Sequence, residues 1–272
     1  MDLSIVIVNY RSKEKLVDCL AALRANVSSD LKKEIIIVDN NSGDELDDLI
    51  EPEAGMKLIV SPKNLGMGGG NNLGLSQARG EFVLILNPDT LVKPGSLEAL
   101  ADHLRSNLET VLVGPKLLNP DGSLQFSCFR WPGFFTPIFR RTPLGAYFSA
   151  ATKHFLMADF DHQSARTVDW LLGSCLMFRR ETELGGQIFQ PRFDERYFMY
   201  FEDTDLAREI WERGGRVVYL PTALVVHDHQ RQSARYPWYL AIFLDGLARH
   251  HIASWFKYFI KWGIKQKNYE KN

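Results

Sequence analysis

Leu84-Ile85-Leu86-Asn87-Pro88-Asp89-Thr90 is an apolar run of strand character that stops abruptly in an Asn-Pro-Asp turn. The turn puts the Asp89 carboxylate at the C-terminal end of a buried strand, where open α/β sheets bind their ligands. An acid in that position can hold a divalent metal against a diphosphate. By composition alone Asn-Pro-Asp is an ordinary turn, so the reading depends on its surroundings. Leu3–Asn9, Glu34–Asp39 and Lys57–Val60 are further short runs, nearly continuously apolar as in strands buried on both faces. Between them, residues 13–25 show helical spacing through Leu16, Leu20 and Leu23. A short helix is expected near 44–50, and longer ones at 71–79 and 95–106. Strands alternating with helices predict an α/β fold with a doubly wound, mainly parallel central sheet.

The chain has 272 residues, 45% hydrophobic and 24% charged, which suits one large folded domain or two small ones. A net charge of -1 argues against a nucleic-acid binder. Cys19, Cys128 and Cys175 are far apart and lack zinc spacing, so reduced thiols in a cytoplasmic setting are expected. No basic-then-apolar leader opens the sequence, and no apolar run approaches the ~20 residues of a membrane span.

The alternation fades near Gly114, and residues 124–165 mix Phe, Trp, Pro and Arg without a period. Such a segment is usually functional or mobile. Trp170–Arg179 reads as a strand and 203–213 as a helix closed by Gly214-Gly215. Arg216–Leu220 and Leu224–His227 read as two extended pieces, and the chain from about 237 as helical.

Polar residues cluster where these elements end. Asn9-Tyr10-Arg11 and Asp39-Asn40-Asn41-Ser42 close the first two strands. A carboxylate such as Asp39 can accept a hydrogen bond from a pyrimidine ring, although the same residues also suit a plain Asx turn. Asn64–Gly74 holds five glycines in eleven residues. It reads as a loop before a helix, either a close-approach phosphate loop or a flexible turn. It matches neither a Walker loop nor a dinucleotide fingerprint. Glu202-Asp203-Thr204-Asp205 sits among aromatics. These acids suit the first turn of a helix or a general base whose pKa an aromatic wall raises. His227 and His229 follow the apolar Ala223–Val226, and a neutral imidazole there can ligate a metal.

Taken in order, several motifs make the chain resemble the family 2 glycosyltransferases of the GT-A fold, and within them the rhamnosyltransferase-like branch of cell-surface polysaccharide assembly. They are Ile7-Val8-Asn9-Tyr10, Ile37–Ser42, Asn64-Leu65-Gly66, Gly70–Gly74, Leu86–Thr90, Trp170–Ser174 and Tyr200–Asp205. The resemblance covers residues 1 to about 235. It implies an inverting, metal-dependent transfer of a sugar from a nucleotide donor, best guessed as dTDP-linked L-rhamnose. UDP-linked galactose, glucose or N-acetylglucosamine is the alternative. The acceptor would be a hydroxyl of a glycan or a polyprenyl-diphosphate-linked saccharide. Asn87-Pro88-Asp89 stands where the family carries Asp-X-Asp, with Asn87 departing from the pattern. Asp89 and His227 would then hold Mg²⁺ or Mn²⁺, with His229 as the competing register. Asn9, Asp39, Asn41, Asn64, Gly66, Asn72 and Asn87 would line the donor cleft. Asp203 would be the catalytic base, with Glu202 second, and Trp170 and Gly173 would lie near the acceptor.

The expected division is a transferase domain over 1–235, split at 113/114 into nucleotide-sugar and acceptor halves, followed by a helical tail over 236–272. In that tail Ile252, Trp255, Phe256, Phe259 and Ile260 form an apolar stripe, and Lys257, Lys261 and Lys265 a basic one. Such a helix suits an anionic membrane surface, placing the enzyme peripherally on the inner face of the plasma membrane, or it docks on protein. The aromatic 124–150 stretch would join the membrane face or act as an acceptor lid. Rival classes are a sugar nucleotidyltransferase, disfavoured because no basic glycine loop follows the first strand, and a non-catalytic relative.

Overall fold

The computed structural model describes residues 1–142, 147–228, 245–265 and 269. The strands are β1 (Leu3–Asn9), β2 (Lys33–Asp39), β3 (Met56–Val60), β4 (Phe82–Leu86), β5 (Thr90–Val92), β6 (Thr110–Leu118), β7 (Leu124–Gln125), β8 (Cys128–Phe129), β9 (Arg166–Thr167), β10 (Trp170–Leu171), β11 (Cys175–Arg179), β12 (Thr182–Leu184), β13 (Gln187–Phe189) and β14 (Arg216–His227). The helices are α1 (Lys13–Asn26), α2 (Gly66–Leu75), α3 (Ser96–Ser106), α4 (Thr136–Arg141), α5 (Ser149–Phe155), α6 (Glu202–Glu212) and α7 (Gly246–Trp262).

The main sheet runs β3-β2-β1-β4-β11-β6-β14-β5, with β7 beside β6 and β9 beside β14. β3, β2, β1 and β4 pair in parallel. β11 is inserted antiparallel between β4 and β6, so β6 and its parallel neighbour β14 point the same way as β1 to β4. The strand period of two splits β1 cleanly. Leu3, Ile5 and Ile7 pack with α1 and α3 on one face, while Val6 and Val8 pack with α2 and α6 residues on the other. The sheet is doubly wound, as the alternation predicts.

The glycine run corrects one expectation. It is the helix α2 itself, starting at Gly66, rather than a loop ahead of a helix at 71–79. Low helix propensity is overridden by tertiary packing. A Cβ on Gly74 would stand 2.3 Å from Val6 Cγ1, and one on Gly70 2.9 Å from Val8 Cγ1. Glycine lets this helix lie directly on β1. Its first donors are also taken, Gly66 N–H by Asn64 Oδ1 at 2.9 Å and Met67 N–H by Phe198 O at 2.8 Å. The helix start is therefore a packed joint and not a phosphate cradle.

Two strand boundaries also differ. Trp170–Arg179 breaks into β10 and β11 around a turn at 172–174. The extended pieces at 216–220 and 224–227 join as one strand, β14, with a register irregularity between Leu220 and Leu224.

The apolar stripe of α7 is split. Trp255, Tyr258 and Phe259 are buried with Tyr197 and Phe201, whereas Phe256 and Ile260 are exposed. Lys261 Nζ reaches Asp205 Oδ2 at 2.7 Å and Asp194 Oδ2 at 3.0 Å, and Lys257 Nζ donates to Arg196 O. Two of the three lysines read as a basic stripe thus turn onto the protein, and α7 is docked on the core. Among the described residues, no helix is long and apolar enough to cross a membrane. All three cysteines are buried free thiols.

Candidate active site

Asp89 closes the Asn87-Pro88-Asp89 turn after β4 and immediately precedes β5, whose Thr90 pairs with His227 at the end of β14. That register, fixed further by the Asp228 N–H bond to Asp89 O at 2.9 Å, brings residues 138 positions apart within reach. His227 Nε2 lies 3.4 Å from Asp89 Oδ1. Burial alone would raise the Asp89 carboxyl, but His227 and then Lys15 outweigh it and hold it below the ordinary carboxylate range. Asp89 Oδ1 is nevertheless sealed from solvent without a hydrogen-bond partner. A buried carboxylate oxygen left in this way costs free energy, and a divalent cation shared with the facing imidazole would satisfy it. The donor set of one carboxylate and one imidazole fits Mn²⁺ or Mg²⁺ whose remaining ligands come from a diphosphate. Among the described residues no group of three or more His, Cys, Asp or Glu side chains gathers for a metal. His229 lies outside the described residues.

The turn at 172–174 joins this centre to the second acidic cluster. Because β11 starts opposite Leu86, Asn87 N–H reaches Ser174 O at 2.8 Å. The adjacent Gly173 N–H donates to Asp203 Oδ2 at 2.9 Å. A Cβ on Gly173 would meet Asp203 Oδ2 at 3.2 Å, so glycine is what permits this approach. Asp203 Oδ1 accepts from Thr204 N–H at 2.7 Å. Glu202 and Asp203 open α6 after Tyr200 and Phe201, both at left-handed φ of 69° and 67°. Aromatic residues rarely adopt that conformation, and such strain tends to collect at functional sites.

The two acids differ in their partners. Burial raises Asp203, while the Thr204 and Gly173 donors favour its charged form. Burial and the neighbouring Asp203 push Glu202 up to about 8, and its Oε2 is buried without a partner. Two close carboxylates cannot both ionise cheaply. The arrangement keeps the charge on Asp203, where the donors are, and the proton on Glu202.

The remaining expected residues fall into two groups. Asp39 Oδ1 accepts from Ser42 N–H at 3.0 Å in an Asx turn, and exposed Asn41 takes φ 59° beside it. Asn87 and Asn64 are half-buried at strand and helix ends. Asn9, Asn72, Gly66 and Trp170 are, like Asp39, buried, and each is held by protein partners. Asn9 is fully buried, its amide bonded to Asp44 Oδ2 at 2.8 Å and to Ser42 and Ser12. Asn72 clamps Phe193 through both amide atoms, at 2.8 and 2.9 Å. Gly66 sits where a Cβ would run into Phe198 O at 2.1 Å. Trp170 stacks on Phe129 with ring centroids 4.4 Å apart and donates Nε1–H to Arg130 O. These four brace the surrounding loops.

Two residues were missed by sequence reasoning. Asn40, rather than Asn41, ties Asn64, Leu65 and Gly66 to the end of β2, and nothing in an Asn-Asn pair distinguishes them. Gln125 accepts from or donates to His227 at both ends of its amide. It lies in the unpatterned stretch, with no local signal.

The family profile "Glycosyl transferase family 2" matches residues 4–161. The N-acetylglucosaminyl-diphospho-decaprenol L-rhamnosyltransferase of Mycobacterium tuberculosis is 30% identical, over 93% of this chain and 82% of that protein. Rhamnosyltransferase WbbL of Escherichia coli is 25% identical, over 92% of this chain and 94% of its own. GalNAc-T7, solved with UDP, GalNAc and Mn²⁺, superposes with a TM-score of 0.63 at 16% identity, covering 85% of this chain and 44% of that one. With the profile spanning more than half of the chain, and the first of these relatives similar over nearly all of it, this protein belongs to the family 2 glycosyltransferases, on the GT-A fold that its sheet order describes.

Proposed function

We propose that this glycosyltransferase moves L-rhamnose from dTDP-rhamnose to a hydroxyl of a polyprenyl-diphosphate-linked saccharide, with inversion at the anomeric carbon. The observation that carries the chemistry is the buried, unpartnered Asp89 Oδ1 facing His227 Nε2, linked through Asn87, Ser174 and Gly173 to Asp203. The choice of sugar and acceptor is supported by the names of the two rhamnosyltransferase relatives.

On this reading, residues 1–113 form the donor half and 114–235 the acceptor half. Asp39 meets the nucleotide base, with Asn41, Asn64 and Asn87 at the rim of the cleft. Asp89 and His227 hold a divalent ion, which when bound neutralises the charge on the departing nucleoside diphosphate. Asp203 takes the proton of the acceptor hydroxyl. The N–H groups of Gly173 and Thr204 aim it. Glu202 stays protonated beside it, so that a single negative charge faces the acceptor. One base suffices, because the leaving diphosphate needs charge neutralisation rather than a general acid.

The exposed Phe256, Ile260 and Ile264 recur every fourth residue on the outer side of α7 and just past its end. This row is the proposed contact with an anionic membrane that presents the lipid-linked acceptor. Phe256→Ser/Ile260→Ser is expected to lose co-flotation with anionic liposomes while retaining its melting temperature. Unchanged flotation would remove the membrane from the scheme.

The central test is nucleoside diphosphate release across a donor panel, with Mg²⁺, Mn²⁺ or EDTA and a membrane lipid extract as acceptor. Release from dTDP-rhamnose alone, dependent on metal and acceptor, is the expected result. Release from a UDP-sugar instead would move the specificity to that donor. No release from any donor, combined with no donor binding by calorimetry, would overturn the transferase site as drawn.

A further inference from the structure

The surroundings of His227 carry an inference that rests on the metal-site reading above and deepens it. Gln125, on β7, sits against the end of β14. Its Nε2 lies 3.1 Å from His227 O and 2.8 Å from Asn119 Oδ1. A backbone carbonyl only accepts, so that contact fixes which end of the Gln125 amide is nitrogen. The other end, Oε1, is 2.6 Å from His227 Nδ1. An amide oxygen only accepts as well. The imidazole must therefore carry a proton on Nδ1, which leaves Nε2 as the nitrogen on the side of Asp89 Oδ1 and the one that a cation there would take.

The chain of donors continues outward without a reversal. Asn119 Nδ2 donates to Leu124 O at 3.4 Å, again a carbonyl that sets the amide's direction, and to Ser123 Oγ at 2.9 Å. Ser123 Oγ–H donates to Asp121 Oδ1 at 2.6 Å. From His227 to Asp121, each group donates a hydrogen bond to the next, and the chain ends on a carboxylate. Hydrogen bonds aligned in this way polarise one another. A partner accepting from the far nitrogen of a metal-binding imidazole orients the ring and raises its basicity.

We infer that Gln125 is a positioning residue that locks His227 in the Nδ1–H tautomer, with Asn119 holding Gln125 in turn, so that Nε2 is ready to ligate a divalent cation. The sequence gives no hint of this, because β7 is two residues long and is placed only by pairing with β6.

The first readout needs no variant. Long-range ¹H–¹⁵N spectra of ¹⁵N-histidine-labelled protein without metal report whether Nδ1 carries a proton. His227→Gln assigns the signal. A protonated Nδ1 is expected, and an Nδ1 without its proton would overturn the inference. The second readout is Mn²⁺ affinity by calorimetry with nucleoside diphosphate present. Gln125→Leu is expected to weaken Mn²⁺ binding about 10–100-fold, the usual effect of removing such a partner. Gln125→Glu, which keeps an acceptor opposite Nδ1, is expected to restore most of it. Wild-type affinity in a folded Gln125→Leu would overturn the inference. Should that variant fail to fold, the wild-type tautomer decides. Failure of wild-type protein to bind Mn²⁺ would overturn the metal site itself and this inference with it. Intact Mn²⁺ binding with the wrong tautomer would overturn this inference alone.

Discussion

Asp89, just past β4, and the Glu202-Asp203 pair, which opens α6, are joined by the turn that carries Gly173 and Ser174, yet their surroundings push them in opposite directions. Asp89 is held below the usual range by His227 and Lys15. Glu202 is raised by burial and by Asp203. The difference comes from partners rather than depth, since all three are substantially enclosed. Asp89 has His227 and Lys15 beside it. Among the described residues, Glu202 and Asp203 have only N–H and O–H donors as partners, nearly all of them on Asp203. A metal ligand needs a permanent charge, while a base needs affinity for a proton. One fold meets both demands by setting basic side chains beside one acid and burying the other pair with neutral donors.

The strongest way to break this comparison is to make each end neutral. Asp203→Asn keeps the shape of the base and removes its function. Its kcat is expected to fall about 10²–10⁴-fold, the usual weight of general base catalysis, with donor affinity unchanged by calorimetry. A matching loss of donor binding would place Asp203 at the nucleotide instead. Asp89→Asn is expected to cost about 10²–10³-fold in kcat/KM, equivalent to several kcal/mol of metal stabilisation. Unlike Asp203→Asn, it should also weaken Mn²⁺ binding, so metal titration separates the two.

Gly173→Ala sharpens the link between the ends. The added Cβ would crowd Asp203 Oδ2 at 3.2 Å and Asp203 Cβ at 3.3 Å, shifting the base by tenths of an ångström. A loss of about tenfold in kcat is expected, on the scale by which small misplacements cost rate, with KM for the donor little changed. Full activity would show that the base position tolerates the turn.

The smallest effect is thermodynamic. Glu202 titrates near 4.5 when unfolded and about 8 when folded. Between those values the folded chain holds the extra proton, so the contribution of Glu202 is complete below about 4.5 and lost as pH rises through about 8. Glu202→Gln should flatten this decline. Its melting temperature should exceed that of wild type by about 2–4 °C at alkaline pH, the shift expected for ~1 kcal/mol in a chain of this size. Parallel melting curves against pH for the two proteins would show that Glu202 is ionised throughout.

Much of this arrangement was legible in the chain. The runs that became β1, β2 and β4 are buried on both faces, so each is nearly all apolar and easy to find; β3, read the same way, is instead an edge strand that is only partly buried, with Val60 exposed. Asp39 and Asp89 could be placed because they interrupt such runs. The acids at 202–205 stood out among aromatics. Other features had no local mark. β6 carries Gly114 and Pro115 within it, which weaken a strand signal, although pairing with β14 and β11 holds it in the sheet. The glycines of α2 looked like a loop, because the reason for them is Val6 and Val8 more than sixty residues earlier. The stripe on α7 gave the right helix and an incomplete account of its faces.

The sequence by itself determined the doubly wound sheet, the strand-end acids and the family, since periodicity and the order of motifs are local and survive without neighbours. Only the tertiary structure decided which side chains meet. It put His227 opposite Asp89 through an antiparallel register, aimed Asp203 with the Gly173 N–H, and turned Gln125 onto the imidazole. It also engaged Asn9, Asn72 and Trp170 with protein partners. Hydrogen-bond partners are chosen by through-space distance and direction, and both are set by how strands far apart in the chain come to lie side by side.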